Sequence, residues 1–472
     1  MNSEGPGCFF QWLEHAPELL DLSETFPNQF PYLLESSARG ALGSHSLLLF
    51  AGDEVLVLDP EDGLTGPGQG NSFFERLESW YQREQTGTAE IGRDRGPLIP
   101  FVGGWFVYLG YEMAGEVESS LALPPNRTGM PDAIAHRCHG AIIVFHDPED
   151  PARDRTLAVA ESATVLALIK SRIDQTPVRA NSNVSGELGR LGEEDPERYK
   201  ESVERIHEYL LAGDVFQVNI SRSWTGSFEM PIDVVALYRS LSYSNPAPFA
   251  GMLRWRDSVM LSSSPERLVQ IKNGEIQTRP IAGTRPRGDN VERDRALSNE
   301  LIGDSKERAE HIMLIDLERN DLGRVCKPGT VEVDELMVVE SYAHVHHIVS
   351  NVRGELLPNA SPVDAIRAVF PGGTITGCPK VRCMEIIAEL EQEGRGFYTG
   401  SMGYLGRDGS MDLNILIRSM LVQGMGFTFR TGGGIVADSV AEQEVRETRD
   451  KARGMLMAVD SYNVVFRERR HA

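Results

Sequence analysis

Residues 400–430 read GSMGYLGRDGSMDLNILIRSMLVQGMGFTFR. Alternation over Gly400 to Leu405, Met411 to Val422 and Phe427 to Arg430, with glycine-rich turns between them, predicts strands joined as antiparallel neighbours. The same pattern at Val215 to Ile220, Val259 to Ser263 and Leu268 to Ile271 extends the sheet upstream. Regular strand–helix–strand units are not apparent, so the class is α+β with antiparallel sheets. A helix is predicted over Pro196 to Ala212, where Val203, Ile206, Leu210 and Leu211 recur at helical spacing and Gly213 ends the pattern. Further upstream, short β-rich runs at Ser46 to Ala51, Glu54 to Leu58 and Gly140 to Phe145 accompany an amphipathic stretch from Phe73 to Tyr81. Between these parts lies a segment poor in large apolar residues and rich in Gly, Ser, Asn and acids. The expected organisation is therefore an N-terminal region over 1–175, a linker over 176–195 and a catalytic domain over 196–460.

The chain has 472 residues, 41% of them hydrophobic and 25% charged, which is the composition of a soluble globular protein. Its formal charge of −22 repels phosphate backbones and anionic lipid, which argues against nucleic-acid and membrane partners. An anionic substrate must therefore meet a local basic pocket. No apolar run approaches the length of a membrane-spanning helix, and the N-terminal residues lack a basic segment before their apolar ones, so a cytoplasmic location is expected. The five cysteines include no CxxC pair and are expected to be reduced thiols. Loops for ATP or nicotinamide, zinc motifs and a serine-nucleophile elbow are all missing.

Two predicted helices carry the same acidic spacing. Glu307 and Glu310 lie three apart in SKERAEHIMLIDLERN, which Asp304 can cap, and Glu444 and Glu447 repeat the spacing in AEQEVRETRDKA. Four carboxylates suit a hard cation such as magnesium, although each helix also has basic neighbours (Lys306, Arg308, Arg446, Lys451) that would make a salt-bridged, solvated face. The triplet Gly432, Gly433 and Gly434 reads either as an amide-lined anion loop or as a plain turn. The stretch PGGTITGCP, with Thr374, is a Gly/Pro-rich loop before the helix KVRCMEIIAELE. Arg418, among apolar neighbours, needs an anionic partner, which a substrate carboxylate or an internal Asp would supply. His346 and His347 have no metal-ligand spacing and read first as structural histidines. Glu266, in SSSPERL, becomes a general acid if buried and a turn residue if exposed.

Taken in order, SSSPERL, TRPIAGTRPRG, SKERAEHIMLIDLERNDLGRV, HHIVS, PGGTITGCPKVRCMEII, YTGSMGYL, IRSM and GGGIVADSVAEQEVRETRDKA closely resemble the chorismate-utilising enzymes. The resemblance spans Pro196 to Met457, and PYLLESS and PFVGGWFVYLGYEMAGEVE extend it into the N-terminal region. It implies the anthranilate synthase component I fold, with two packed antiparallel sheets, helices outside and a central cleft. It also implies magnesium-dependent chemistry on chorismate, a dicarboxylate whose ring hydroxyl leaves. By position, Glu310 and Glu447 match direct metal ligands, and Glu307 and Glu444 match ligands acting directly or through water. Glu266 matches the general acid and His347 a histidine near the leaving group. Arg418 and Tyr398 match residues gripping the enolpyruvyl carboxylate, while Thr374 and the amides of Gly432, Gly433 and Gly434 match further carboxylate contacts.

Ala282 occupies the position at which many relatives carry a lysine, and its presence resembles anthranilate-forming members. Asn219 in GDVFQVNIS, FPGGTITG, YTGSMGYL and the PFVGGWFVYLGYEMA region instead resemble the aminodeoxychorismate synthase component I branch, which is the expectation. Anthranilate synthase component I is the alternative, and a non-catalytic chorismate-binding subunit is the alternative of another class. LLES at Leu33 to Ser36 resembles a tryptophan-binding element of the family and reads equally as a strand start. The chain contains no amidotransferase triad, so the resemblance implies that ammonia comes from a separate glutamine amidotransferase subunit.

Overall fold

The computed structural model describes residues 2–3, 8–38, 42–86, 99–177, 186–341 and 345–470. Local sequence sets the helices as expected. Pro196–Ala212 begins where the Asp195 carboxylate accepts the Glu197 amide at 3.0 Å, buries Tyr199, Val203 and Ile206, and stops at Gly213 with φ +80°. Phe73–Glu84 is capped by Ser72, and Lys380–Glu391 follows the Gly/Pro-rich loop. Val291–Gly303 is an additional helix that apolar periodicity does not signal; the Asn290 side chain caps it, and only Leu297 and Leu301 are buried along it. Asp304 then accepts the Glu307 amide at 3.3 Å, at the start of Ser305–Gly323.

All strand pairings among the described residues are antiparallel, and they form one continuous hydrogen-bonded path folded into two sheets. The first sheet runs Leu188–Glu193, Gln217–Phe228, Gly426–Ile435, Ser419–Gln423, Ser258–Ser264, Phe249–Trp255, Tyr32–Glu35, His45–Asp59 and Ala133–Phe145. Arg155–Ala160 and Phe9–Leu13 continue it from one half of Ala133–Phe145. From the other half starts the second sheet: Gly104–Leu109, Ser401–Gly406, Met411–Asn414, Arg267–Lys272, Glu275–Thr278 and Val345–Glu355, which also pairs with Ile281–Pro286 and Glu332–Ser341. The two runs expected at Ser46 to Ala51 and Glu54 to Leu58 are one strand, His45–Asp59, whose register slips around Ala51. Such irregularity bends a strand, and this one passes between the sheets. Part of the expected linker, residues 178–185, lies outside the described residues, and its C-terminal part is the strand Leu188–Glu193.

Apolar side chains from both sheets fill the space between them, with Tyr32 and Phe106 stacked at 3.7 Å and 5° across the layer. Helices Leu19–Thr25, Ala163–Gln175, Val234–Ser244 and the Ala452 to Tyr462 part of Ala441–Arg470 cover the outer face of the first sheet. Phe73–Glu84, Ser305–Gly323 and Pro362–Val369 cover that of the second. Two packed antiparallel sheets with helices outside are thus the observed architecture, as the resemblance implies. No helix of the described residues is long and apolar enough to cross a membrane.

Candidate active site

Two neighbouring strands leave the first sheet for the second at the same level. Ser258–Ser264 passes through Pro265 and Glu266 into Arg267–Lys272, and its partner returns from Met411–Asn414 through Ile415–Arg418 into Ser419–Gln423. The alternating run Met411 to Val422 is therefore two strands and not one. The reason is local: Arg418 has φ +51°, a left-handed conformation that breaks a strand, and Pro265 opposite has no N–H for a ladder. The Ile415 amide donates to Glu266 O at 3.0 Å, and the Ser263 amide donates to Arg418 O at 3.0 Å. These bonds place Glu266 and Arg418 at facing breaks.

Glu266 is 5% exposed, and among the described residues its Oε1 has no hydrogen-bond partner. Burial pushes the carboxyl up to about 7, against the opposing pull of the Thr374 side chain, the Ile281 amide, Arg418 and Lys451. A carboxylic acid that still holds its proton near neutrality is suited to donate it. Burial pulls the Arg418 guanidinium below its ordinary value, and Glu266 and Tyr398 oppose that pull. His347, on Val345–Glu355, is driven down to about 3 by burial, Arg418 and His346, so its imidazole is neutral at physiological pH. Pro265, His347, Arg418, Lys451 and Gly454 all border one cavity of about 140 Å³. His346 points elsewhere and contacts Ser341 Oγ at 2.7 Å and Asp294 Oδ1 at 2.9 Å.

The glycine triplet is not a loop. Gly432, Gly433 and Gly434 lie inside the strand Gly426–Ile435, opposite Ser221, Ile220 and Asn219. Pairing to Ser419–Gln423 ends at Phe429, so among the described residues this part of the strand is paired on one side only. A Cβ on Gly433 would stand 3.3 Å from Glu444 Oε2 and 3.6 Å from Glu447 Oε1, so the missing side chain is what lets both carboxylates approach the strand. A Cβ on Gly432 would collide with Ile220 O and stand 2.9 Å from the Tyr398 hydroxyl. Gly432→Ala is accordingly expected to cost about 1–3 kcal/mol, read as a lowered midpoint in thermal or urea unfolding. An unchanged midpoint would show that the strand has room there.

Thr374 sits in the one-turn helix Gly373–Ile375; its buried Oγ1 faces Glu266 and makes no close hydrogen bond among the described residues, and its carbonyl accepts from Asn219 Nδ2 at 3.4 Å. Tyr398 is 3% exposed in the turn before Ser401–Gly406, with burial pushing its phenol up to about 12. That turn is tied to the Arg418 break, because the Thr399 amide donates to Leu416 O at 2.8 Å and the Leu416 amide to Gly400 O at 2.8 Å. Ala282 is half-buried where the register of Ile281–Pro286 slips against Val345–Glu355, next to the Ile281 amide that faces Glu266.

The acidic pairs lie beside two of these strands, Ile281–Pro286 and Gly426–Ile435. Glu307 lies against Gly283, two residues from Ile281, and pairs with Arg285 at 3.1 Å. Glu310 is half-buried one turn further along the same helix. Glu444 is buried, whereas Glu447 is half exposed and pairs with Lys451 at 2.7 Å. The donor set, all carboxylate oxygen, fits a hard divalent cation. In this conformation the pairs remain two halves: among the described residues, no three His, Cys, Asp or Glu side chains are gathered tightly enough to hold an ion.

Two further residues belong to this constellation. Lys451 donates to Gly432 O at 2.9 Å and faces Glu266; the sequence shows it only as a basic neighbour of Glu447, four residues on along a helix. Tyr199 carries a buried hydroxyl without a partner among the described residues, and burial together with Glu444 and Glu447 raises its pKa well above the ordinary value. It reads from sequence as an ordinary core position of its helix. Leu34, Glu35 and Ser36, from LLES, line a separate cavity of about 290 Å³.

Residues 54–457 match the family described as chorismate binding enzyme. Anthranilate synthase component 1 of Thermus thermophilus is 38% identical over 449 residues, covering 93% of this chain and 94% of the relative. Aminodeoxychorismate synthase component 1 of Bacillus subtilis is 37% identical over 462 residues, covering 93% and 95%. The crystal structure of anthranilate synthase component I from Streptococcus pneumoniae superimposes with a TM-score of 0.75 at 30% identity, covering 87% of this chain and 92% of that one. With a buried acid facing a buried arginine, and with the family model and these relatives matched over most of their length, the chain belongs to the chorismate binding enzyme family.

Proposed function

We propose that the chain is the chorismate-aminating component of an aminodeoxychorismate synthase, forming 4-amino-4-deoxychorismate from chorismate and ammonia. The observation that carries this reading is the buried Glu266 carboxyl, raised to about 7 and facing the Arg418 guanidinium. Arg418 and the Tyr398 hydroxyl take the enolpyruvyl carboxylate, and Thr374 with the Gly432–Gly434 backbone takes the remaining polar groups. Glu266 delivers its proton to the departing ring hydroxyl, which leaves as water while the ammonia nitrogen bonds to the ring. The neutral His347 hydrogen-bonds that hydroxyl without adding a charge. Glu307, Glu310, Glu444 and Glu447 would hold magnesium, which supplies charge neutralisation at the ring carboxylate.

Ala282 offers no amine, so amination here proceeds without a lysine adduct at this position. Ammonia must arrive with its lone pair free, which an enclosed path from a partner achieves better than bulk water. The relatives are named component 1 of their synthases, and the partner proposed here is a glutamine amidotransferase, met in the cytoplasm. A second reading, anthranilate formation, is favoured by Ala282 and by the name of the Thermus thermophilus relative. The test is to incubate the purified chain with chorismate, magnesium and an ammonium salt and to identify the product by mass. A product that keeps the enolpyruvyl group is the expected result. Release of pyruvate with a fluorescent aminobenzoate would replace it with the anthranilate reading, and absence of turnover would leave a chorismate-binding subunit.

A further inference from the structure

Arg395 stands where several site-bearing segments meet, although it matches none of the motifs read from the sequence. It is 2% exposed. Its Nε donates to Glu391 Oε2 at 2.9 Å, Nη1 to Ile375 O at 3.1 Å and to Thr399 Oγ1 at 3.3 Å, and Nη2 to Asn219 O at 2.8 Å and to Glu391 Oε1 at 2.8 Å. Its guanidinium carbon lies 5.6 Å from the Tyr398 ring centroid and 4.8 Å from that of Tyr111. The acceptors are not arbitrary. Ile375 follows Thr374, Thr399 follows Tyr398, and Asn219 pairs with Gly434 across the strand edge.

The far side of the same turn is held as well. Glu112, from the N-terminal region, accepts the Arg395 amide at 2.7 Å and the Gly396 amide at 3.1 Å. Glu391 in turn accepts from the Ser221 amide at 2.9 Å and the Ser221 hydroxyl at 2.7 Å, and it pairs with Arg430 at 3.4 Å. Burial pulls Glu391 up, but Arg395 and Arg430 outweigh it and leave the carboxyl below its ordinary value, hence ionised. A buried ion pair adds little net stability over apolar packing of the same volume. A planar fork of five donors does add a fixed geometry for the groups it reaches, and a lysine ammonium cannot reproduce that geometry.

We propose that Arg395 is a positioning residue for chorismate binding, setting Thr374 and Tyr398 relative to Arg418, with Glu112 clamping the same turn from behind. This rests on the reading of the chain as a chorismate-aminating enzyme. The test compares the full-length wild type with Arg395→Lys and Glu112→Gln, measuring steady-state kinetics with chorismate and ammonium, chorismate binding by calorimetry and thermal unfolding. In Arg395→Lys the chorismate KM is expected to rise about tenfold or more, with kcat within about threefold and the ammonium KM unchanged, because misplacement of the carboxylate contacts weakens binding before it alters the proton transfer. Glu112→Gln, whose carboxamide offers one acceptor oxygen to two amides, is expected to move the chorismate KM in the same direction. It decides the question if Arg395→Lys does not fold. A folded variant with an unaltered chorismate KM and affinity overturns the proposal, as does a loss of kcat alone. A wild type that neither binds nor converts chorismate would overturn the function reading itself, a distinguishable result that removes the ground of this one.

Discussion

Replacing Glu266 by Gln is expected to lower chorismate turnover by about a thousandfold, the range in which removal of a positioned general acid falls. The substitution keeps the shape of the side chain and its place between Thr374 and Arg418 while removing the proton to be donated. The pH dependence follows from the same carboxyl. Because burial raises it to about 7, kcat/KM at constant free ammonia is expected to be flat below that pH and to fall tenfold per unit above it, as the acid loses its proton. Stability carries the same signature. The native state holds this proton more tightly than the unfolded chain, whose ordinary value is 4.5. The stabilising contribution of the group is therefore fully present below about 4.5 and is lost as the pH rises through about 7. In Glu266→Gln that part of the pH dependence of unfolding should vanish. Retained activity would remove Glu266 from the proton transfer, and a retained high-pH limb would assign the limb to another group.

Glu310→Gln is the second large effect expected: magnesium-dependent turnover should fall by at least about a hundredfold while the unfolding midpoint stays close to wild type, since direct ligands matter at least as much as the groups that orient them. Gln keeps one oxygen donor but removes the charge that a divalent ion requires. Manganese binding followed by electron paramagnetic resonance gives a readout independent of catalysis, and the variant should bind more weakly. Glu447→Gln, on the other helix, should behave alike, because each pair contributes half of the donor set. Unchanged metal affinity in both variants would take these carboxylates out of the metal site. Chelation of the wild type by EDTA should abolish turnover, with magnesium restoring it.

What could be read in advance is the placement that local spacing dictates. Glu307 and Glu310, like Glu444 and Glu447, share a helix face because they are three residues apart, and both helices form where the spacing places them. Helix Pro196–Ala212 was legible from its apolar stripe and its terminal glycine. The backbone breaks and crossings that set such residues in place were not legible. Alternation passes smoothly through Arg418, so the left-handed turn there leaves no trace in hydrophobic periodicity. The glycines at 432–434 look like a turn because glycine favours turns, yet they lie in a strand that approaches the Glu444 and Glu447 carboxylates closely. Lys451 and Tyr199 look like ordinary helical residues, and Arg395 gathers carbonyls from segments up to 176 residues away in the chain.

The amino-acid sequence alone determined the α+β class, the helix faces that carry the acids and the family to which the motifs point, because propensity, capping and short-range spacing act within a few residues. Tertiary structure alone decided that Glu266 is buried enough to keep its proton near neutrality, that Arg418 faces it across two strand breaks, and that Arg395 binds Thr374's and Tyr398's segments together. Burial and the convergence of charges depend on which distant strands become neighbours, and that depends on how two bent strands carry one hydrogen-bonded path from the first sheet into the second.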